Sequence, residues 1–180
     1  MACVARQDAQ ADRLTSEFCL NVMSIPTKSD WGEIDKNDLD AQYAFKQFYG
    51  KSLSEAENMF RKNALHYQED LYSMPGKVFS YYVQAFINYL ASGDSAGDSD
   101  GASSFLHMII WLLKNDRKNV HAQTLASLLG TAEAVSKKQQ YYGASADIYG
   151  NFPALFKEIE SRANGVWLPG REQDKGAEES

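Results

Sequence analysis

Two strongly apolar segments, joined by a polar connector at residues 92–101, occupy residues 76–113 and constrain the fold more than any other stretch. In the first segment, large apolar residues recur at steps of three and four, which places them on one face of a helix. In the second, apolar residues fall on every side, which is typical of a central, buried helix. The apolar residues are Val78, Tyr82, Ala85, Phe86, Tyr89 and Leu90, then Phe105, Leu106, Met108, Ile109, Ile110, Trp111, Leu112 and Leu113. The pattern predicts a buried helical hairpin around which the other helices pack.

The connector consists mostly of Gly, Ser and Asp. A calcium-binding EF-hand loop needs oxygen ligands at alternate positions, glycine at the sixth position and glutamate at the twelfth. With Gly101 at the sixth position, Ala96 and His107 fall at the first and the twelfth, where neither fits. We therefore expect an exposed acidic loop in which Ser99 or Asp100 caps the following helix.

Helix start and stop signals recur along the rest of the chain. Asn37 or Asp38 is placed to cap a helix that Gly50 ends. Ser52 and Glu55 form a capping box, in which the two side chains bond to each other's backbone N–H groups. No segment alternates apolar and polar residues over a useful length, and no fixed repeat period is present. The predicted fold is all-α, a compact multi-helix bundle built round the central hairpin.

Two further signals concern the carboxyl-terminal third of the chain. Gly130 predicts a break or a kink between a helix that follows residue 119 and an element that covers residues 132–142. Tyr149 is the predicted anchor of the loop at residues 144–150.

The chain is predicted to form a single helical domain over residues 24–168. Residues 1–23 lack the basic start and long apolar centre of a signal peptide, so we expect a loosely ordered extension, with Met23 as a second start. Residues 169–180 are polar and charged, which predicts a disordered tail.

The charge balance bears on the kind of partner. The chain contains 18 Lys and Arg against 24 Asp and Glu, a net charge of -6. A nucleic-acid-binding protein needs clustered basic residues to displace counterions, so this class is disfavoured. An acidic protein suits a basic partner.

The expected location is cytoplasmic. The only cysteines, Cys3 and Cys19, offer no CxxC metal spacing and no disulfide framework, which indicates a reducing compartment. The second apolar segment is about half of the roughly 20 residues that a membrane span requires. We therefore expect no membrane insertion.

The histidines are the first candidates for chemistry. His66, Glu69 and Asp70 share a helical face, yet a metal site needs more ligands than this single motif supplies. His107 lies in the most apolar segment, where a histidine is usually a core residue bonded to a carbonyl or a tyrosine hydroxyl. No GxSxG elbow, Walker loop or dinucleotide fingerprint occurs. The sequence therefore predicts no catalytic residue, no metal and no cofactor.

Paired tyrosines and acidic residues are the candidates for partner binding. Tyr81 beside Tyr82, and Tyr141 beside Tyr142, cannot all face inward in straight helices, so some should be exposed, and tyrosine is enriched at binding hot spots. Acidic residues also bunch before the first long helix and in the connector, and together they would form a negative patch. The candidate partner-binding residues are Asp35, Asp38, Asp94, Asp98, Asp100, Tyr81 and Tyr141.

The predicted function is a non-enzymatic protein–protein interaction. Its most specific form is an acidic protein, of the immunity type or an adaptor, that binds and masks a basic protein partner. One alternative is a small helical metal-dependent enzyme using His66, Glu69 and Asp70. Another is a homo-oligomeric structural domain, a homodimer for example, whose interface is the apolar hairpin. The overall pattern is typical of a small bacterial helical protein.

Overall fold

The computed structural model describes residues 24–116 and 120–165. Within these ranges every regular element is a helix and there is no strand, which confirms the predicted all-α class. The α-helices are α1 Lys28–Trp31, α2 Leu39–Phe48, α3 Leu53–Lys62, α4 Ala64–Leu71, α5 Gly76–Ala91, α6 Ser99–Asn115, α7 Ala122–Ser136, α8 Ala146–Tyr149 and α9 Phe152–Ala163, with a 3-10 turn, Gly93–Ser95, between α5 and α6. The predicted extension at residues 1–23 and tail at residues 169–180 lie outside the described residues.

The described residues form two compact units, which divide between Tyr89 and Leu90 in the last turn of α5. The first unit contains α1 to α4 and most of α5. The second contains the end of α5 and α6 to α9. Both predicted arms of the hairpin are helices, and they fall largely in different units. The single domain over residues 24–168 stays a prediction.

The core of the first unit is aromatic. The rings of Phe60 and Phe86 stack with their centroids 4.7 Å apart, and Phe48 meets Tyr82 edge to face at 5.0 Å. The Tyr82 hydroxyl is within donating distance of the Phe48 carbonyl oxygen and of the Lys51 carbonyl oxygen, the latter at 3.1 Å. Burial raises the pKa of Tyr82 far above its ordinary value. These contacts fix α5 against the end of α2.

Local capping decides where several helices begin. The Asp38 carboxylate accepts a hydrogen bond of 2.9 Å from the Ala41 N–H at the start of α2. The predicted capping box of α3 is confirmed, because the Ser52 hydroxyl and the Glu55 carboxylate each accept from the other's backbone N–H. The expected cap of α6 was wrong: the Asp98 carboxylate, rather than Ser99 or Asp100, accepts from the Gly101 N–H at 2.9 Å.

Helix α7 differs from its prediction. It runs through Gly130 without a break, since a glycine inside a helix costs only about 1 kcal/mol relative to alanine and the flanking contacts outweigh it. It ends at Ser136, whereas the sequence predicted a helical element as far as residue 142. The residues that follow form turns instead, and these turns bring Tyr142 into the core of the second unit.

The core of the second unit forms where α9 packs against α6 and α7. Fully buried residues include Phe105, Leu106, Met108, Ile109, Leu128, Phe152 and Ile159. The expectation that α6 is buried on every side was wrong, because His107 is exposed and the Trp111 side chain is 40% exposed. These two residues are four positions apart and share one face of the helix. In residues 24–116 and 120–165, no helix combines the length and the apolar character needed to cross a membrane.

Candidate functional site

Hydrogen bonds link the acidic connector to the turn that follows α7. The Gly97 N–H donates to the Tyr141 carbonyl oxygen at 3.0 Å. The Tyr141 hydroxyl in turn lies 3.4 Å from the Ser92 carbonyl oxygen and 3.3 Å from that of Gly93. Gly97 has a φ of 81°, a left-handed conformation that favours glycine. Tyr141 therefore holds the start and the middle of the connector.

A second set of hydrogen bonds links the connector to the carbonyl oxygen of Leu90. The Ser95 side chain is buried, and its hydroxyl donates to the Leu90 carbonyl oxygen at 3.0 Å. The Tyr142 hydroxyl donates to the same oxygen, also at 3.0 Å. Burial raises the pKa of Tyr142, so the phenol stays a donor over the ordinary pH range. These buried bonds tie the start of the connector to the core of the second unit.

The far end of the connector is held through its acidic residues. Asp98 caps α6, and the Asp100 carboxylate accepts a hydrogen bond of 2.9 Å from the Tyr149 hydroxyl. This bond holds the short helix α8 beside the first turn of α6. Tyr149 therefore anchors α8 to α6. Next to Tyr149, Asp147 is exposed and Ile148 is 75% exposed.

Several exposed side chains of the second unit lie on or beside the residues that make these contacts. Tyr141 is 41% exposed, and the Lys138 ammonium nitrogen lies 5.7 Å from the centre of its ring. Asp94 and Asp100 are exposed on either side of the fastened turn. We call this the connector surface, and its members are Asp94, Asp100, Tyr141 and Ile148. Sequence patterns did not indicate Ile148, because a lone apolar residue in a one-turn helix carries no periodic signal.

The two other acidic candidates lie in the first unit. The Asp35 carboxylate accepts bonds from the backbone N–H and the side-chain amide of Asn37, at 2.8 and 3.1 Å. Asp38 caps α2. Both therefore have local structural roles, and the negative patch that would join them to the connector stays a prediction.

Tyr81 does not fit its predicted role as an exposed contact. It is only 5% exposed, and its neighbour Tyr82 is fully buried. The expectation that some of the four paired tyrosines are exposed holds for Tyr141 and not for Tyr81, because α5 is buried on nearly every side in this stretch. Burial raises the pKa of Tyr81, whose hydroxyl is bonded to the backbone of Leu53. The other pair behaves as expected, with Tyr141 exposed and Tyr142 buried.

The candidate metal ligands are arranged differently from a metal site. His66 and Glu69 are exposed, whereas Asp70 is only 8% exposed. The His66 ring meets Tyr43 and Tyr67 edge to face, with centroids 6.1 and 4.9 Å apart. Across the described ranges, no three His, Cys, Asp or Glu side chains are grouped so that they could hold a metal ion. His107 is exposed, so its predicted place in the core was wrong.

Comparison of the chain with protein-family models, with curated proteins and with solved structures finds no match. The surfaces of the molecule are therefore the basis for a functional proposal.

Proposed function

We propose that the protein is a non-enzymatic binding protein that holds and masks a basic protein partner through the connector surface. The observation that carries this proposal is the fastening of the acidic connector by hydrogen bonds to Tyr141, Tyr142 and Tyr149. A Gly-, Ser- and Asp-rich loop of this composition is ordinarily mobile. Here it is held as a fixed acidic surface.

Preorganisation matters because binding a mobile loop costs conformational entropy. Ordering each flexible side chain at an interface costs about 0.5–1.5 kcal/mol, and a surface that is already ordered avoids part of that cost. The bonds to Tyr141 and Tyr149 join residues 48 and 49 positions apart, so they restrict the connector far more than local turns would. The same restriction would fix the spacing of the carboxylates that meet a partner.

The chemistry of the connector surface suits a basic partner with some apolar area. Asp94 and Asp100 supply negative charge, which speeds the encounter with a positive surface. Tyr141 and Ile148 supply exposed apolar area at the same place, and tyrosine is enriched among residues that dominate binding energy. An immunity-type protein or an adaptor would use such a surface. The proposal places this interaction in the cytoplasm, because the chain has only two cysteines.

The test is affinity capture from a lysate of the source organism with three forms of the protein: wild type, Asp94→Asn/Asp100→Asn, and Glu160→Gln. Both substitutions in the double variant keep the side-chain shape, and the amide oxygen introduced at position 100 would still accept a bond from Tyr149. Glu160 is an exposed carboxylate on α9 and supplies the charge control. We expect wild type and the Glu160→Gln variant to retain one basic protein at near-equal amount, and the double variant to lose most of it. Equal capture by all three forms would contradict the proposal.

A further inference from the structure

Among the described residues, three buried side-chain atoms have no hydrogen-bond partner: Trp31 Nε1, Gln68 Nε2 and Asp70 Oδ2. All three lie in the first unit. Asp70 differs from the other two because its carboxyl can carry a full charge. The residue is 8% exposed and its Oδ2 atom is buried, and an ionised group in such a place is costly unless it is paired.

Asp70 lies where α4 packs against α2. His66 precedes Asp70 by one helical turn, and its ring meets the ring of Tyr43 on α2. Asp40, in the first turn of α2, is close enough to act on the Asp70 charge. Gln68 belongs to a separate place, because positions 68 and 70 point about 160° apart around a helix. The unpartnered carboxylate therefore has its own surroundings at the α2–α4 junction.

The electrostatic surroundings of Asp70 are negative. Burial raises the pKa of its carboxyl from 3.8 to about 6, and this is the largest cause. His66 opposes the shift, while Glu69 and Asp40 add to it. The junction thus combines one buried, unpartnered carboxylate with two further carboxylates and a single histidine. A positive group placed beside Asp70 Oδ2 would satisfy the oxygen and relieve the repulsion together.

We propose that the Asp70 carboxylate, at the junction of α2 and α4, anchors a binding site for an organic cation, an alkylammonium or guanidinium group. A neutral donor would satisfy the oxygen but would gain nothing from Glu69 and Asp40. A metal ion would need more protein ligands than the described residues group together. Because Oδ2 is buried, binding requires that side chains at the junction move to admit the cation.

This site lies in the first unit and does not depend on the connector surface, so either proposal can fail alone. The same cationic groups occur in free amines and in lysine or arginine side chains. Both sources therefore share one recognition chemistry, and the experiment must separate them.

The experiment follows backbone amide chemical shifts of the full chain at pH 7.5 during titration with ethylammonium chloride and with ethylguanidinium chloride. Tetramethylammonium chloride, which has no N–H donor, controls for ionic strength. We expect saturable shifts around residues 66–70 with at least one of the two probes and none with the control. The Asp70→Asn variant should lose at least tenfold in affinity, while Asp35→Asn, an exposed carboxylate of the same unit, should bind as wild type does.

A second readout is the effect of pH. Because protonation removes the charge that binds the cation, affinity should fall about tenfold between pH 7 and pH 5. Capped arginine and lysine dipeptides then identify the source: tighter binding than the free probes indicates a protein side chain, and equal binding indicates a small amine. Linear shifts that do not saturate with either probe, or unchanged binding by the Asp70→Asn variant, would overturn the proposal.

Discussion

The carboxylates of the acidic connector and the carboxylate of Asp70 differ in burial and in hydrogen bonding. In the connector, Asp98 and Asp100 each accept a hydrogen bond within the second unit, and the exposed Asp94 lies at the fastened turn. At the α2–α4 junction, Asp70 is buried and its Oδ2 has no partner among the described residues. Carboxylates that are partnered and near solvent organise a rigid surface. A carboxylate that is buried and unpartnered is stabilised when it binds a proton or a cation.

The largest effect should come from the buried support of the connector. Replacing Tyr142 with alanine removes a fully packed ring and its bond to the Leu90 carbonyl oxygen. We expect Tyr142→Ala to lower the free energy of unfolding by about 3–5 kcal/mol, measured by urea denaturation. Tyr141→Phe removes a hydroxyl whose two acceptor distances are 3.3 and 3.4 Å, and it should cost less than about 0.5 kcal/mol. Similar losses in the two variants would contradict the buried support of the connector.

Replacing Asp70 should change stability in the opposite direction, by raising the free energy of unfolding. Because burial raises the pKa of Asp70 to about 6, the folded chain binds a proton more tightly than the unfolded chain does. The free energy of unfolding should therefore fall as pH rises from about 4 to about 6, and the full penalty should be present above pH 6. We expect Asp70→Asn to stabilise the protein at pH 7 by roughly 1–3 kcal/mol.

The control for this effect is the difference between wild type and Asp70→Asn at each pH, because other carboxylates titrate in both proteins. That difference should vanish near pH 4 and be largest above pH 6. A constant difference across this range would show that the Asp70 carboxyl is not the group that titrates.

A smaller effect should follow from loss of the α6 cap. Asp98→Ala leaves the Gly101 N–H without its side-chain acceptor and should cost about 1 kcal/mol. Asp98→Asn keeps an acceptor oxygen and should cost a fraction of that amount. Thermal unfolding monitored by circular dichroism measures both variants. Equal losses in the two variants would mean that charge, rather than capping, is what Asp98 contributes.

Some local signals in the sequence predicted local structure, whereas others, such as the α6 cap and the break at Gly130, were wrong. The Ser52–Glu55 capping box and the helix start at Asp38 depend on residues three positions apart, and both are present. The all-α class followed from apolar spacing alone. Tyr149 was predicted as an anchor within a loop at residues 144–150. It lies instead in the short helix α8, and its partner, Asp100, was not foreseen.

Features that depend on tertiary neighbours could not be predicted. The tyrosine pairs look alike in sequence, yet Tyr81 is buried and Tyr141 is exposed, because α5 is covered on nearly every side where Tyr81 lies. The order of the connector depends on Tyr141, which is 49 positions beyond Ser92. The HxxED pattern identified Asp70 only as a possible metal ligand, because its burial without a partner depends on how α2 packs on α4.

The central claim is that the acidic connector is a fixed surface, and backbone ¹⁵N relaxation tests it most directly without requiring the partner. The amide of Gly97 is held by Tyr141, and the turn at Gly93–Ser95 is held from both sides. We predict order parameters for residues 93–97 of about 0.85, equal to those of the flanking helices α5 and α6. Values below about 0.6 across these residues would show a mobile loop and would contradict the claim.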